Sequence, residues 1–552
     1  MIKDRLREAL AQAAQEAQQR GKLLSVALPD VVIEHPQRPE HGDYACSLPL
    51  KLARGLGMSP VEIGHRLLEC LPLLEELEKA EVAPPGFINF TLAPRWLAGQ
   101  VERVLEEGAE FVRSGLGQGT RVQIEFVSVN PTGPLHVGHG RGAVLGSTLA
   151  SVLDACGYSV EREYYINDSG TQIEAFHRSL FARYQQAHDI SVEMPANGYM
   201  GGYMMDLARE MKAEHGRRFL DMPQEAAIRE LGELGIARMV SSIRADLELL
   251  GVTFDVWFSE KTLFQTGLYQ RVMDLLQERG YVTRKEGATW FVSTAPGESK
   301  DNVLVRSDGS PTYFASDIAY HYNKFVQRGF SRVIDIWGAD HQGHVSRIKA
   351  AAGALGIESE RLTVIISQMV SLRRGEEMVK VSKRSGELIT LRELVEEVGA
   401  DACRFFFLSR SADSQMDFDM ELAKKQSAEN PVYYVQYAHA RIASILRLAT
   451  ERGIDYSHGD VSLLTTAPEL ALVRKMLLLP EVLETVAQTL EPHHLPYYAT
   501  ELATLFHNFY RDCRVVSKDL ALSAARLKLV RAAQVVLAGT LNLMGMTAPE
   551  KM

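Results

Sequence analysis

The sequence contains little cysteine, and no two cysteines stand close enough together to form a C-x-x-C motif. Its five cysteines are isolated in the chain, at Cys46, Cys70, Cys156, Cys403 and Cys513. Such isolated residues offer neither the ligand spacing of a structural zinc site nor a disulfide framework. We therefore expect no bound structural metal, and a pattern of free thiols is typical of the cytoplasm.

Long apolar runs are missing as well. The first ten residues are rich in charge where a signal peptide would need an apolar core, so no secretion is expected. The nearest approach to a membrane span, residues 532–549, is free of charge but is interrupted by Gln534, Thr540 and Asn542. This pattern predicts a buried terminal helix.

An excess of positive charge is the third absence. The chain has sixty basic and seventy acidic residues. Its net charge of −10 excludes a uniformly basic protein that coats nucleic acid. Any contact with nucleic acid must therefore use local basic patches. What the chain does have is length and apolar content: 552 residues, 46% of them hydrophobic, predict several cores and two to four domains.

The amino-terminal and carboxy-terminal regions differ in pattern from the middle of the chain. Residues 1–113 combine an amphipathic helix at the start, turn-rich segments and an alternating strand at residues 87–92, which predicts an α+β domain. Residues 416–552 are rich in leucine and alanine at helical spacing, which predicts an all-α bundle. A glycine-rich link at residues 115–119 marks the first boundary.

The middle region, residues 114–415, alternates strands with helices. The predicted strands are residues 122–127, 160–165, 332–337 and 362–366. Alternation of this kind indicates an α/β fold with a doubly wound parallel sheet of the Rossmann-like type. A helix-rich stretch near residues 190–250 interrupts the alternation and predicts an insertion at the edge of the sheet.

Two histidines follow the first strand of this sheet, in the sequence His136-Val137-Gly138-His139, just before an apolar helix at residues 143–153. A helix amino terminus has unpaired N–H groups and favours anions such as phosphate. Imidazoles three residues apart can donate hydrogen bonds to phosphate oxygens, and Gly138 leaves room for a flat base. This arrangement indicates a nucleotide site.

Two other interpretations of this segment remain. Gly138-x-Gly140-x-x-Ala143, with Glu161 about twenty residues later, also matches the dinucleotide fingerprint, although that motif requires its first glycine directly after the strand. Alternatively, the histidines only cap the helix. A downstream basic loop, KVSKR at residues 380–384, favours the nucleotide site, because two mobile lysines can neutralise a departing pyrophosphate. Without the histidines, this loop would be interpreted as a solvated run of charges.

HVGH at residues 136–139 and KVSKR at residues 380–384 together resemble the two signatures of class I aminoacyl-tRNA synthetases, usually written HIGH and KMSKS. The wider segments 125–141, 166–172 and 430–441 resemble the arginyl-tRNA synthetase family in particular. The resemblance covers essentially the whole chain.

The resemblance implies arginine–tRNA ligase activity in protein biosynthesis. In that reaction arginine and ATP give arginyl-adenylate and pyrophosphate, and arginine then passes to tRNA(Arg) with release of AMP. The resemblance also implies Mg²⁺ on the ATP phosphates, activation only with bound tRNA, a monomer, and contact between the amino-terminal domain and the tRNA elbow. No membrane partner and no editing domain are expected.

The resemblance also implies a set of site residues. The candidate catalytic residues are His136, His139, Lys380 and Lys383. The candidate ATP-binding residues are Pro134, Leu135, His136, Gly138, His139, Gly140, Val381, Ser382 and Lys383. The candidate arginine-binding residues are Glu125, Asn130, Glu260, Tyr313, Asp317 and His341. The candidate tRNA-binding residues are Tyr437, Arg441 and Met552.

One departure from the family affects the assignment of the phosphate site. Many members carry a lysine where this chain has Gly133, and those members often have a degenerate second signature. Here Gly133 is combined with an intact lysine loop, so the phosphate-neutralising role is assigned to Lys383, with Lys380 in support.

The arginine pocket can be tested against simpler interpretations. A guanidinium is planar and permanently charged, so its pocket needs carboxylates, and Tyr313 and Asp317 share a face if their segment is helical. The alternatives are a solvated salt bridge for Asp317 and core packing for Tyr313. For Tyr433 and Tyr434, which belong to the predicted carboxy-terminal bundle and not to this pocket, packing in the helix core is the preferred interpretation.

Three other functions are also consistent with parts of the pattern. A nucleotidylyl transferase of the same superfamily would not need the carboxy-terminal helical bundle. A non-catalytic tRNA-binding relative would have lost one of the signatures. A different class I synthetase, such as a cysteine enzyme, would need zinc ligands that the isolated cysteines do not provide. A metal-binding role for His341 and His344 is also not favoured, because the sequence offers no third ligand clustered with them.

Overall fold

The computed structural model describes residues 2–292, 301–379 and 388–552. Residues 380–384, which contain the second signature, therefore lie outside the described residues. The roles predicted for Lys380, Val381, Ser382 and Lys383 depend on the chemistry of this loop and on its described flanks.

The amino-terminal region is an α+β unit, as the sequence predicts. Its elements are α1 (Ile2–Gln19), β1 (Ile33–Glu34), β2 (Tyr44–Cys46), α2 (Leu48–Leu56), α3 (Pro60–Leu68), β3 (Leu77–Ala83), β4 (Phe87–Leu92) and α4 (Pro94–Glu107). The strands form an antiparallel sheet in the order β1-β2-β4-β3. Helix α1 is held to the core by a buried stripe at helical spacing, which includes Leu6, Leu10 and Ala13.

The middle region contains the sheet that positions the candidate site. Its first elements are β5 (Arg121–Phe126), α5 (Val137–Ala155), β6 (Ser159–Ile166), α6 (Thr171–Ala187), α7 (Gly202–His215), α8 (Gln224–Leu249) and β7 (Val256–Ser259). They are followed by α9 (Lys261–Gln265), α10 (Leu268–Glu278), β8 (Val282–Lys285), β9 (Ala288–Phe291), β10 (Asn302–Val305) and α11 (Tyr313–Tyr322).

The middle region ends with β11 (Arg332–Gly338), α12 (Val345–Ala354), β12 (Leu362–Ser367), β13 (Val370–Arg374), β14 (Glu377–Val379), α13 (Leu391–Val398), α14 (Ala400–Leu408) and β15 (Met416–Asp419). The main sheet is fully parallel and has the order β12-β11-β5-β6-β7. The chain runs outward in both directions from β5, which confirms the doubly wound α/β fold.

The stretch near residues 190–250 is helical, and its helices belong to a unit that starts earlier than the predicted insertion. Helices α7 and α8 lie within residues 190–250, but they pack on α6, which precedes that stretch. The three helices share a separate hydrophobic core that includes Phe176, Leu207 and Leu231. The insertion is therefore a small helical unit attached beside β6 and β7.

The carboxy-terminal region is an all-α bundle, as predicted, but its helices begin after β15 (Met416–Asp419), which pairs with β13 of the middle region. Its helices are α15 (Met420–Lys424), α16 (Pro431–Glu451), α17 (Ala467–Leu477), α18 (Leu479–Thr489), α19 (His494–Asp512) and α20 (Leu520–Leu543). Helix α20 is buried along most of its length and packs on α4 and α16. Within the described residues, no helix is long and apolar enough to cross a membrane.

Candidate active site

The parallel sheet aligns one carboxylate on each of three neighbouring strands. Glu125 on β5 is in register with Asp335 on β11 and with Glu163 on β6, and all three side chains are buried. Residues in register on adjacent parallel strands point to the same face of the sheet. The fold therefore gathers negative charge near the carboxyl ends of these strands, where α/β sheets bind ligands.

A cavity of about 950 Å³ opens at this edge of the sheet. Its walls come from the loops that follow β5, β6 and β11, at residues 127–134, 167–174 and 338–344, together with the start of α11. The cavity is large enough for a nucleotide and an amino acid side by side.

The loop after β5 turns sharply into the cavity. Val127 and Ser128 both have left-handed backbones, with φ of 69° and 42°, which side chains other than glycine rarely adopt. Ser128 Oγ accepts a hydrogen bond of 3.1 Å from the Tyr165 N–H, which holds this turn against β6. Backbone strain of this kind is common at functional sites. Asn130, further along the loop, lines the cavity and donates a hydrogen bond to Gln172.

The two signature histidines lie at the start of α5, which begins at Val137, six residues earlier than the apolar pattern indicates. Their rings stack with centroids 3.5 Å apart. His139 Nδ1 accepts a 3.2 Å hydrogen bond from the His136 N–H, so the helix-capping interpretation is correct for this nitrogen. The proton of the neutral ring is then on Nε2, which is a hydrogen-bond donor.

Burial determines the charge of these histidines. It lowers the pKa of His139 to about 3, with a smaller contribution from His136 in the same direction. The pKa of His136 is lowered by burial as well, against the attraction of Asp340. Both rings are therefore neutral at neutral pH in the free protein, and each can donate one hydrogen bond to a phosphate.

The remaining ATP-binding candidates divide into two groups. Pro134 and His139 line the cavity, whereas Leu135, His136, Gly138 and Gly140 do not. Leu135 is buried, and its carbonyl accepts a 2.8 Å hydrogen bond from the Leu391 N–H, just after the second signature. This bond tethers the first signature to the segment at Leu391. A Cβ at Gly140 would lie 2.7 Å from Leu391, so this glycine permits the same close approach.

The predicted arginine pocket forms one wall of the cavity. Tyr313 and Asp317 both lie on α11 and share a face, as their spacing predicts. Asp317 is 7% exposed, which excludes a solvated salt bridge, and Tyr313 exposes 44% of its surface, which excludes core packing. Glu260, at the end of β7, is 4% exposed, and its Oε2 has no hydrogen-bond partner among the described residues.

This wall carries acidic groups whose ionisation is opposed by burial and by their mutual repulsion. Burial, with repulsion from Glu125 and Glu260, raises the pKa of Asp317 well above its usual range. Repulsion from Asp317, together with burial, raises the pKa of the Tyr313 hydroxyl. Buried carboxylates without a counter-ion are costly, and a bound cation removes that cost. The pocket is therefore suited to a planar cation with several donors, such as a guanidinium.

Several residues of the site were not found from the sequence. Tyr165 lies beside the pocket with its hydroxyl buried and without a partner in the described part of the chain. The strand carboxylates are contacted by His321, in the last turn of α11, and by Lys324, in the turn that continues it. A lysine with no exposed surface is a strong signal in a structure, but its sequence context gives no sign of burial.

His341, the last arginine-site candidate, lies at the rim of the cavity. It is next to Asp340, with 3.4 Å between His341 Nε2 and Asp340 Oδ2, and its ring contacts Trp337. His344 lies nearby, with ring centroids 5.9 Å apart. Away from this cavity, the described residues Glu491, His493 and His494 place three possible metal ligands within 4.8 Å of one another.

The tRNA-binding candidates lie in the carboxy-terminal bundle. Arg441 stacks over Tyr437, at 4.6 Å from its ring centroid, and also lies 5.1 Å from the Tyr510 ring. Tyr433 stacks on Tyr437, and both rings are half-buried, so Tyr433 is not a core residue. Met552 is exposed. A surface of stacked aromatic rings with a guanidinium is suited to unpaired bases and phosphate.

Comparisons with known proteins agree with this geometry. A family model described as "tRNA synthetases class I (R), catalytic domain" matches residues 100–443. "Arginyl tRNA synthetase N terminal domain" matches residues 2–92, and "DALR anticodon binding domain" matches residues 435–552. The parallel sheet and the HVGH helix start are thus those of a class I aminoacyl-tRNA synthetase.

The relatives identify the family within this class. The chain is 59% identical to the arginine–tRNA ligase of Dehalococcoides mccartyi strain CBDB1 over 551 residues, 100% of this chain and 99% of the relative. It is 49% identical to that of Carboxydothermus hydrogenoformans over 523 residues, 94% of each chain. The chain belongs to the arginyl-tRNA synthetase family, the enzymes that ligate arginine to tRNA.

Solved structures show the same fold. An arginyl-tRNA synthetase structure from Campylobacter jejuni, at 34% identity, has a TM-score of 0.77 and covers 84% of this chain and 100% of that one. The Thermus thermophilus arginyl-tRNA synthetase, at 24% identity, also has a TM-score of 0.77 and covers 100% of both chains. The structure itself excludes the dinucleotide-binding interpretation of Gly138-x-Gly140. That motif needs its first glycine directly after the strand, whereas residues 127–136 separate β5 from the helix.

Proposed function

We propose that this cavity activates L-arginine with ATP and transfers it to tRNA(Arg). The observation that carries the proposal is that the acidic wall formed by Glu260, Tyr313 and Asp317 and the neutral His139 line one cavity. The guanidinium lies against this wall, and Glu125 and Asn130 hold the α-amino group. The arginine carboxylate is thereby directed toward the ATP phosphates near His139.

The chemistry requires placement and charge stabilisation. The arginine carboxylate is already ionised at neutral pH, so it attacks the α-phosphate of ATP without a side-chain base. A carboxylate–phosphorus bond forms, the bond to the leaving phosphate breaks, and pyrophosphate carries the electron pair away. The ribose hydroxyl of tRNA then attacks the adenylate carbonyl, and AMP leaves.

The histidines and the lysine loop stabilise the phosphates. His136 and His139 donate hydrogen bonds while uncharged, at a helix start that itself favours anions. Lys383, supported by Lys380, neutralises the leaving pyrophosphate, and Val381 and Ser382 contribute to ATP binding. Magnesium ion bound by the phosphates would supply further charge, and Asp340 at the cavity rim is a carboxylate suited to contact it.

The other regions recognise the tRNA. The bundle from residue 416 onward binds the anticodon through Tyr437, Arg441 and Met552, and residues 1–113 contact the tRNA elbow. Residues 114–415 form the catalytic domain. The enzyme acts as a cytoplasmic monomer, and bound tRNA is required for activation of arginine.

Substitution of Lys383 tests the assignment of the second signature. Lys383→Ala should lower the rate of adenylate formation about 100-fold, because a charge that stabilises the leaving group is lost, with tRNA affinity nearly unchanged. The measurements are pre-steady-state adenylate formation and tRNA filter binding. Lys285→Ala, at an exposed lysine paired with Asp301, is the control. Equal losses of activation and tRNA affinity would show that the loop serves docking.

A further inference from the structure

A row of buried carboxylates lies beneath the proposed arginine pocket. Asp335, Glu125 and Glu163 are in register on β11, β5 and β6, and each is less than a tenth exposed. Glu125 differs from the other two because it also lines the cavity. It is therefore the member of this row that can contact both the ligand and the buried network.

Lys324 is the cation that serves Glu125. It lies in a π-helical turn, Asn323–Gln327, that continues α11, and it has no exposed surface. Its Nζ is 2.5 Å from Glu125 Oε2 and 2.9 Å from Asp335 Oδ1, so one ammonium group bridges two strands. Nζ also lies 4.2 Å from the centroid of the Tyr320 ring.

The other carboxylates of the row have further partners. Glu163 accepts hydrogen bonds from the Tyr320 hydroxyl and from Arg328. Asp335 makes a 2.9 Å hydrogen bond with His321 Nε2. Among the described residues, Lys324 is the one cation within ion-pair distance of Glu125. Lys324 is therefore the counter-charge that stabilises ionised Glu125, and Ser128 adds a hydrogen bond.

The surroundings of Glu125 oppose its ionisation. Burial raises its pKa, and repulsion from Asp335 acts in the same direction, while Lys324 and a hydrogen bond from Ser128 lower it. The α11 segment and β6 also bring other titratable groups within electrostatic reach of Glu125, namely Asp317, Tyr313, Tyr320 and Tyr165. Lys324 is the counter-charge in this set, and unlike Glu125 it is fully buried and does not line the cavity.

We propose that Lys324 is a positioning residue for arginine binding, which fixes the Glu125 carboxylate toward the α-amino group of the substrate and keeps it ionised. The inference rests on the proposed contact between Glu125 and that amino group. Lys324 itself touches no substrate. Because it belongs to the segment that continues α11, it also ties the ammonium-binding end of the pocket to the helix that carries Tyr313 and Asp317.

A double-mutant cycle tests this role. Lys324→Met should raise the KM for arginine about 10-fold or more, since the pocket then holds a carboxylate that is largely protonated, with the KM for ATP and kcat nearly unchanged. Glu125→Gln should raise the same KM, and the double variant should lose no more than Glu125→Gln alone. Losses that multiply would overturn the proposal.

The pH dependence of kcat/KM for arginine gives a readout that lost stability does not move. Removing Lys324 should shift the acidic limb to higher pH by about one unit or more. Asp335→Asn removes a charge that repels Glu125, so it should shift the acidic limb to lower pH. This variant provides the test if Lys324→Met does not fold. Persistence of the Lys324→Met shift in the Glu125→Gln background would assign the limb to Asp317 and overturn the proposal.

Arg328→Met is the matched control. Arg328 pairs with Glu161 and Glu163 in the same network but does not contact Glu125. Its loss should lower the melting temperature while leaving the arginine KM and the acidic limb in place. If Glu125→Gln itself leaves the arginine KM unchanged, the proposed role of Glu125 fails. If only Lys324→Met has no effect, the positioning role alone fails.

Discussion

At the scale of single residues, His139 caps a helix and has a proposed role in binding the ligand. Its Nδ1 accepts a hydrogen bond from the His136 N–H, which leaves Nε2 as the donor that this cavity-lining residue can offer to a ligand. Because burial keeps the ring neutral, this division of roles persists across the physiological pH range.

Two amide substitutions separate the roles of His139. Asparagine can replace the Nδ1 acceptor, and glutamine can place an N–H near the position of Nε2. His139→Asn should therefore keep the melting temperature but lose about 100-fold in the rate of adenylate formation, and His139→Gln should keep more of that rate. Calorimetry and single-turnover kinetics measure the two effects. A slower rate for the glutamine variant than for the asparagine variant would contradict the assignment.

Asp317 gives a pH-dependent prediction. Its pKa is raised on folding, so the folded protein binds more protons than the unfolded chain and becomes less stable as pH rises. The melting temperature of Asp317→Asn relative to the native protein should therefore increase from about pH 5 to about pH 8, and saturating arginine should remove this advantage. Thermal unfolding scans measure it.

The control for this prediction is Asp340→Asn, at an exposed carboxylate on the cavity rim. This variant should show no such trend. In kinetics, Asp317→Asn should raise the KM for arginine about 100-fold, because charge-assisted hydrogen bonds to the guanidinium are lost. An unchanged KM would remove Asp317 from the pocket.

At the scale of elements, the close contact of α5 with β5 positions the signature histidines. A Cβ added at Gly146 would lie 2.2 Å from the Phe126 ring, so this glycine allows the helix to approach the strand. Gly142, one turn earlier in the same helix, has nothing within 4 Å of its Cβ position. The two glycines form a matched pair for testing this contact.

Gly146→Ala should destabilise the protein by about 2 kcal/mol, because the helix must move away from β5. It should also slow adenylate formation, since the start of α5 moves with it. Gly142→Ala should be neutral or stabilise by up to about 1 kcal/mol through helix propensity. Chemical denaturation and adenylate assays measure both variants. Similar destabilisation by the two substitutions would show that close packing is not the reason for Gly146.

The elements differ in how well the sequence predicts them. Strands β5, β6, β11 and β12 follow the predicted alternation of strands with helices, and their positions are close to the predicted ones. Strand β7, which is half-buried along its four residues, and the antiparallel strands β8, β9 and β10 show no clear periodicity and were missed. The first turn of α5 was missed because its residues serve the ligand site.

The site residues also differ in how well the sequence predicts them. Some belong to a contiguous motif, whereas others are brought together only by the fold. The histidine signature is contiguous, so its chemistry can be inferred from the sequence. The contact between Lys324 and Glu125 joins residues 199 positions apart, and only the tertiary fold brings the turn that continues α11 against β5. Likewise, the buried hydroxyl of Tyr165 has no local signal, because its surroundings come from other elements.

At the scale of the whole molecule, the amino-terminal unit is joined to the helical bundle through polar contacts. Glu481 on α18 accepts a 2.8 Å hydrogen bond from the Tyr44 hydroxyl and pairs with His35 at 3.0 Å. Arg474 on α17 pairs with Asp43 at 2.6 Å. The hydrogen bond and charge of Glu481 raise the pKa of His35 and so favour its charged form.

Glu481→Gln should weaken this junction. Hydrogen exchange in β1 and β2 should become faster, while the arginine and ATP KM values stay unchanged because the cavity is remote. The KM for tRNA should increase, since the proposed elbow-contacting unit is held less firmly. Glu501→Gln, which breaks an exposed pair with Lys475, is the control. Unchanged exchange in β1 and β2 would show that the junction does not depend on Glu481.

The central claim is that the acidic cavity selects a guanidinium for activation by ATP. ATP–pyrophosphate exchange with arginine, citrulline and lysine, each with and without total tRNA, tests it most directly. The account predicts exchange with arginine in the presence of tRNA, and at least about 1,000-fold less with citrulline, which lacks the charge that the buried carboxylates require. Comparable exchange with citrulline would contradict it.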